Sequence, residues 1–342
     1  MPDPKTFISI NDAQGPLYVG IDVGGTNIKL GIVDNHGGTL VFRSIATEAK
    51  NGPEDAAIRI GRALQELIVE AGAVRSDLAR AGLATPGPMD VPAGMLLNPG
   101  NLPEWHNSPI RGLVSTACDL PVTFANDANA AAYGEYWRGA GEKYRSMVMF
   151  TLGTGVGGGI IVEENLIAGN HSCGAELGYL IIDPSEDAPK ASIGLPGVLE
   201  AYCGSYAIER RVHEALAAGD ASSVRKRMDE GEEFTPLLLA QEAEAGDDLA
   251  DHIVMETARY LGIGIATVVH TIDPENVVVG GGVTFGGAGH PLGERFLQAV
   301  RDEATRRMIQ SLPGKIAIEF ATLGGDAGYI GSAGLARREH LA

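Results

Sequence analysis

The stretch Tyr18-Val-Gly-Ile-Asp22-Val-Gly24-Gly25-Thr26-Asn27-Ile-Lys29-Leu-Gly-Ile-Val33 places two glycines and a threonine between two apolar runs. The residues after the glycines limit the folds open to the chain. A P-loop or a dinucleotide fingerprint needs a helix there, with its N-terminus aimed at phosphate. Here Asn27 to Val33 alternates and ends at the turn cluster Asp34-Asn35-His36-Gly37-Gly38, so the glycines join two strands of a hairpin. Such a turn is either an ordinary Gly-rich hairpin or a nest of backbone N–H groups for phosphate, with Thr26 and Lys29 adding donors.

The pattern returns. Val148 to Thr151 is an apolar run, Gly153-Thr154-Gly155-Val-Gly157-Gly158-Gly159 is glycine-rich, and Ile160 to Val162 is apolar again. A repeat at this spacing is far too long for a solenoid. It predicts duplication of a whole α/β domain, each copy carrying one glycine hairpin, and two such hairpins could grip a triphosphate from both sides. The chain has 342 residues, which also favours two domains. We expect a small domain over 17–122 plus a C-terminal helix at 326–342, and a large domain over 123–325.

Composition excludes several partners. Hydrophobic residues make up 44% and charged residues 20%, as in a globular protein, and the formal charge of −18 argues against nucleic acid and anionic membranes. A chain this acidic has to hold phosphate with backbone amides, a few placed cations and a divalent metal. Cys118, Cys173 and Cys203 are widely spaced and form no C-x-x-C, which suits a reducing compartment. The N-terminal segment lacks an apolar signal region and no run approaches a membrane span, so a cytoplasmic protein is expected.

Residues 1–16 read as a loose tail. Helical spacing is predicted from Pro53 to Ala71, Ala128 to Arg138, Gly197 to Leu216, Leu249 to Thr271, Gly289 to Ile309 and Gly325 to Arg338. Further strands are expected at Thr39–Ala46, Ala81–Ala84, Pro121–Ala125, Val277–Val279 and Lys315–Ala321, with a long functional loop over 90–108. Gly262 and Gly264 cross the long helix, which implies a close packing partner or a ligand. Gly280-Gly281-Gly282 ends a strand and is either a plain βα turn or a close approach to a ligand. Asp127 stands where a strand hands over to a helix. It is the cap of that helix, a carboxylate positioned to take a proton, or both, since a strand end at a helix start is where α/β folds put ligands.

Seven motifs stand in order from about residue 17 to the C-terminus. They are Asp22-x-Gly24-Gly25-Thr26-x-x-Lys29, Pro86-Gly87-Pro88, Asn101-Leu-Pro-x-Trp105, Asn126-Asp127-Ala-Asn-Ala-Ala-Ala, Gly153-Thr-Gly-Val-Gly157, Gly174-Ala-Glu176-Leu-Gly178 and Pro274-Glu-x-Val-x-Val-Gly280-Gly281-Gly282. Together they resemble the ROK family of sugar kinases, sugar-responsive repressors and uncharacterised reading frames, which includes bacterial glucokinases. The resemblance implies a duplicated actin-like, hexokinase-like α/β fold with a cleft between its domains. It also implies transfer of the γ-phosphate of ATP to a hexose, commonly at the 6-hydroxyl, most simply to glucose. The family's repressors carry an additional N-terminal DNA-binding module. Only about 16 residues precede the first strand here, too few for a domain.

The resemblance makes Asp127 the catalytic base, since the attacking hydroxyl must lose a proton. Asn101, Asn126 and Glu176 would bind sugar hydroxyls, with the Gly87 backbone close by. Glu200 matches a further sugar-binding glutamate, although a surface helix carboxylate is the plainer reading. Gly24, Gly25, Thr26, Lys29, Gly153, Thr154 and Gly155 would cradle phosphates, and Gly280, Gly281 and Gly282 would line the adenosine pocket. Asp22, otherwise a turn aspartate, would hold Mg²⁺ through water. Homodimers or homotetramers are expected.

One departure bears on metal and specificity. Many members carry a histidine and three cysteines that bind structural zinc, and the matching positions here are Tyr179, Ala191, Ile193 and Val198. Losing all four removes the tetrahedral set, so no zinc is expected. His171, Cys173 and Cys203 could in principle rebuild one, although a buried or solvated role is the plainer reading of each. The missing histidine also reaches the sugar near its 1- and 2-hydroxyls, and a tyrosine in its place cannot copy both imidazole nitrogens. N-acetylglucosamine, N-acetylmannosamine, mannose and fructose therefore stay open as substrates. So do polyphosphate as the phosphoryl donor and a non-catalytic, sugar-binding regulatory role.

Overall fold

The computed structural model describes residues 7–342. Its packing separates two units. The first takes the chain up to Lys143 together with Leu166–Gly174 and Thr322–Ala342, and the second takes Tyr144–Asn165 and Ala175–Ala321.

In the first unit β1 (Leu17–Val23) and β2 (Asn27–Val33) form the glycine hairpin, and β3 (Thr39–Ala46) follows. Helix α1 (Gly52–Ala71) has Pro53 in its first turn, buries Ile60, Leu64, Leu67 and Ile68, and stops at Gly72, whose φ of 69° is left-handed. Then come β4 (Leu78–Thr85), the short pair β5 (Met89–Asp90) and β6 (Met95–Leu96), α2 (Ile110–Cys118), β7 (Val122–Asn126) and α3 (Asp127–Arg138). The sheet order is β3-β2-β1-β4-β7. β1 runs antiparallel to β2 and parallel to β4, and β4 runs parallel to β7.

The second unit repeats this plan. β8 (Met147–Leu152) and β9 (Val156–Val162) form the second glycine hairpin, and β10 (Asn165–Leu166) is the third strand. Five helices follow: α4 (Glu200–Cys203), α5 (Ser205–Ala218), α6 (Ser223–Asp229), α7 (Pro236–Glu244) and α8 (Asp248–Ile272). After them stand β11 (Asn276–Gly281), α9 (Pro291–Arg307) and β12 (Ala317–Phe320). Sheet order β10-β9-β8-β11-β12 matches the first sheet strand for strand, as a duplicated domain requires. The last helix, α10 (Ala327–Leu341), belongs to the first unit. It lies directly on that unit's sheet, where a β-carbon on Gly20 or Gly82 would stand 1.8 Å from the carbonyl oxygen of Tyr329 or Ser332.

Several sequence expectations change. The contact division does not fall at 122/123, because α3 packs along α10 and stays with the first unit. Residues 7–16 are not loose. Ile8, Ile10 and Ala13 pack on the first core and the Ile8 N–H donates to Thr39 O at 3.0 Å, while residues 1–6 lie outside the described part. The helix expected over 197–216 begins at Glu200 and breaks at Gly204, where the backbone turns extended and a β-carbon would stand 2.8 Å from Thr154 O. Helix α2 carries no signal that the sequence reading used. Gly262 and Gly264 do have close partners, Glu303 and Leu199, each 2.8 Å from a would-be β-carbon. Side-chain packing accounts for both. Among the described residues no helix is long and apolar enough to cross a membrane.

Candidate functional site

The first glycine turn is braced from below. The Gly24 N–H donates to Asn27 O at 2.9 Å, the Thr47 N–H to Thr26 O at 2.8 Å, and the Thr47 hydroxyl to Gly24 O at 2.6 Å. Two carbonyls of the turn are thus tied inward while Gly25 and Thr26 face solvent. Asn101 stands against the turn, its Nδ2 3.6 Å from where a β-carbon on Gly25 would be. Its exposed loop is anchored by buried Leu102 and Trp105, with Trp105 Nε1 donating to Ala49 O at 3.1 Å.

Asp22 and Lys29 are cross-strand neighbours on the hairpin. Lys29 Nζ donates to Gly325 O at 2.6 Å, and the Asp22 carboxylate lies against Gly328 in the first turn of α10. Burial pushes Asp22 from 3.8 up to about 6. The charge of Asp127 adds to the rise and that of Lys29 opposes it. Asp22 and Asp127 therefore share one electrostatic environment.

Asp127 is the first residue of α3, and the cap is its neighbour. Asn126 Oδ1 accepts the N–H groups of Ala128 and Asn129 at 2.9 and 3.2 Å. Asp127 Oδ1 also takes the Ala128 N–H, at 2.8 Å, so the two side chains share the start of the helix, and the Asn126 amide N–H groups point to Asp127 and to any ligand. The Asn126 Nδ2 lies 3.7 Å from a would-be β-carbon on Gly87. Burial raises the Asp127 carboxyl above its ordinary value, against hydrogen bonds from the Ala128 N–H, its own N–H and the Asn126 side chain.

In the second unit the Gly153 N–H donates to Gly155 O at 2.9 Å, and the Ser205 N–H donates to Gly153 O at 2.9 Å. Glu200 lies beneath this turn and is 7% exposed, so it is not a surface helix carboxylate. Its Oε2 accepts the Val156 N–H at 3.1 Å and occupies the place of a Gly155 β-carbon, 2.2 Å away. Tyr179 is half-buried on a one-turn helix. Burial raises its hydroxyl pKa, and the charges of Glu200 and then Glu176 raise it further. Glu176 itself is exposed. Gly281 has a φ of 95° and leaves no space for a β-carbon, which would stand 2.1 Å from Leu152 O. Gly280 is equally closed in by Ala321 and Met149, so sheet packing accounts for both glycines, and Gly282 alone faces open space.

The four positions matching a zinc set do not fit a metal. Ala191 and Val198 are buried in the apolar core, Tyr179 packs against it, and Ile193 is 61% exposed. Among the described residues no group of three or more His, Cys, Asp or Glu side chains could hold a metal ion. Cys203 is buried with Sγ 3.7 Å from Thr257 O, and Cys173 is exposed with Sγ 3.2 Å from His171 O. Magnesium asks for less, one or two carboxylates plus substrate phosphates. Asp22 suits it, because a cation would relieve the strain of an ionised, half-buried carboxylate beside Asp127.

The ROK family model matches residues 18–339. The chain belongs to the ROK family. The Halalkalibacterium halodurans glucokinase is 31% identical to it over 322 residues, covering 94% of this chain and 95% of that protein. Among solved structures, a ROK hexokinase from Thermus thermophilus matches with a TM-score of 0.80 at 32% identity, covering 94% of this chain and 98% of that one. A ROK glucokinase from Streptomyces griseus, in complex with glucose and AMPPNP, matches with a TM-score of 0.75 at 31% identity, covering 94% and 99%. The two like-ordered sheets of this ROK protein are those of the actin-like, hexokinase-like α/β fold.

Sequence reasoning missed residues that support the site. Thr47 braces one turn, Ser192 and Tyr206 reach Glu200, and Gly328 makes room for Asp22. Ser192 stands inside the stretch that matches the zinc motif but was given no role, and of the others only the glycine in a predicted helix was a visible signal.

Proposed function

We propose that this ROK protein transfers the γ-phosphate of ATP to the 6-hydroxyl of a hexose, with glucose as the substrate and Asp127 as the general base. The observation that carries the reading is the placement of Asp127. It sits at the end of β7, shares the capping of α3 with Asn126, and lies within the same unit as Asp22, Lys29 and the first glycine turn. Likeness to curated glucokinases supports the choice of reaction.

In this reading the hexose is held by Asn101, the amide N–H groups of Asn126, Glu176, Tyr179 and Glu200, with Gly87 beside it. Asp127 accepts the hydroxyl proton as oxygen attacks phosphorus, and its raised pKa makes it a stronger base than an ordinary carboxylate. Amides of the turns at Gly24–Thr26 and Gly153–Gly155, with Lys29, hold the phosphates, and Gly280–Gly282 lie by the adenosine. Asp22 would hold the magnesium, which when bound neutralises phosphate charge. A cytoplasmic homo-oligomer free of nucleic acid suits the charge of −18.

Tyr179 favours a second reading on specificity. Its single hydroxyl offers the sugar one polar contact and an apolar ring, so N-acetylglucosamine, N-acetylmannosamine, mannose or fructose could replace glucose. An assay of sugar-phosphate formation over these five sugars, with ATP and with polyphosphate, tests both. Turnover highest with glucose and ATP supports the main reading. A preference for another hexose moves the assignment to that sugar, and sugar binding without phosphorylation under any condition sinks the kinase altogether.

A further inference from the structure

Glu200 is a buried carboxylate with three donors, and two of them come from Ser192 and Tyr206, to which the sequence reading gave no role. Oε2 takes the Val156 N–H directly after the second glycine turn. Oε1 takes the Tyr206 hydroxyl at 3.2 Å and the Ser192 hydroxyl at 3.3 Å. The Tyr206 oxygen also accepts the Ser192 N–H at 3.1 Å. One phenol therefore joins three segments: the 190–196 loop, the start of α5 and the carboxylate under the turn. Burial and the Glu200 charge push Tyr206 up to about 12, so its proton stays available for donation at neutral pH.

The loop fastened in this way carries two of the substituted metal positions, Ala191 and Ile193, and the third, Val198, follows just after it. It closes on itself through the Ala191 N–H to Leu195 O bond at 2.8 Å and a bridge between Lys190 and Pro196. Neither contact ties it to the turn. The route to Gly153–Gly155 runs through Ser192, Tyr206 and Glu200, and there is no slack in it, since Gly155 has no space for a β-carbon beside Oε2.

We propose that Tyr206 and Ser192 are positioning residues, which hold Glu200 and through it the Gly153–Gly155 turn in a metal-free fastening. This rests on the sugar-kinase reading for its effect on catalysis, while the fastening itself can be judged without activity. Removing either hydroxyl loosens a carboxylate that would face the sugar and an amide run that would face phosphate.

The experiment compares the intact wild-type chain with Tyr206→Phe, Ser192→Ala and a control of the same chemistry, Tyr260→Phe, which keeps its ring against Tyr202 and removes a hydroxyl bonded to Glu256 instead of Glu200. Amide hydrogen exchange of the 153–156 segment is measured by mass spectrometry before and after exhaustive chelation. KM and kcat are measured for glucose and ATP. We expect Tyr206→Phe to speed exchange of that segment at least about fivefold and to raise KM for both substrates about 3- to 10-fold, with kcat changed less. Ser192→Ala shows the same pattern more weakly, while chelation and Tyr260→Phe change nothing. Unchanged exchange in Tyr206→Phe, faster exchange with unchanged KM, or loosening of the wild type by chelation each overturns the proposal. If the wild type phosphorylates no sugar but Tyr206→Phe still speeds exchange, the kinase reading falls and the fastening stands.

Discussion

A β-carbon on Gly328 would stand 2.4 Å from Asp22 Oδ2, so the last helix leaves this carboxylate its place only because residue 328 has no side chain. The nearest obstructing atoms are the end of a side chain, so Gly328→Ala can fold by pushing the carboxylate aside. Alanine is also the better helix former by roughly 0.5–1 kcal/mol. We expect a melting temperature within a few degrees of wild type and turnover reduced about 10- to 100-fold, the size of effect that a small misplacement at a reacting centre produces. A higher magnesium requirement should accompany it. Full activity in Gly328→Ala would remove Asp22 from the metal role.

Asp127→Asn keeps the shape of the side chain and removes the base. Turnover should fall about 10²- to 10⁴-fold while nucleotide affinity, measured by calorimetry, changes little. In the wild type, activity should decline as pH falls through the raised Asp127 pKa, above the ordinary carboxylate range. A variant with near-normal turnover would show that another group takes the proton.

The folded chain holds Asp22 at about 6 against an ordinary 3.8. A pKa raised by folding means the native state binds this proton more tightly than the unfolded chain does. Its contribution to stability is present below about pH 4 and is lost as pH rises through about 6. Without magnesium, Asp22→Asn should therefore melt higher than wild type at pH 7.5, with the difference shrinking below pH 6 and gone near pH 4. Added magnesium should stabilise the wild type and leave the variant unmoved. Lower stability of the variant at pH 7.5 would contradict the electrostatic argument.

Glu135 is fully buried at the end of α3, and it accepts the backbone N–H groups of Thr322, Leu323 and Ala140, the last two at 2.7 and 2.9 Å. The Thr322 hydroxyl adds a further bond at 3.1 Å. Glu135→Ala strands these donors without solvent, which should cost about 2–4 kcal/mol in denaturant unfolding. Glu135→Gln, which keeps one acceptor oxygen, should lose less. KM values of the folded fraction should stay near wild type, and an unfolding free energy within about 0.5 kcal/mol of wild type would refute the clasp.

How much was legible depended on how far apart the interacting residues lie in the chain. The hairpins at Gly24 and Gly153 could be read because strand periodicity and glycine turns are local properties, and their recurrence pointed to the duplication that the matched sheet orders display. Asp127 could be placed at a strand-to-helix junction for the same reason. Its neighbour Asn126 was read as a sugar ligand, although its carbonyl oxygen caps α3. How two adjacent side chains divide the start of a helix is decided only by where each one points.

The amino-acid sequence by itself determined the elements, the two related sheets and the ROK motifs, because these rest on short-range pattern and composition. Only the tertiary structure decided which groups share an environment. It set Gly328 against Asp22, Glu135 under Thr322 and Tyr206 against Glu200. Burial and hydrogen bonding are properties of neighbours in space, and those neighbours are fixed when whole helices and sheets pack.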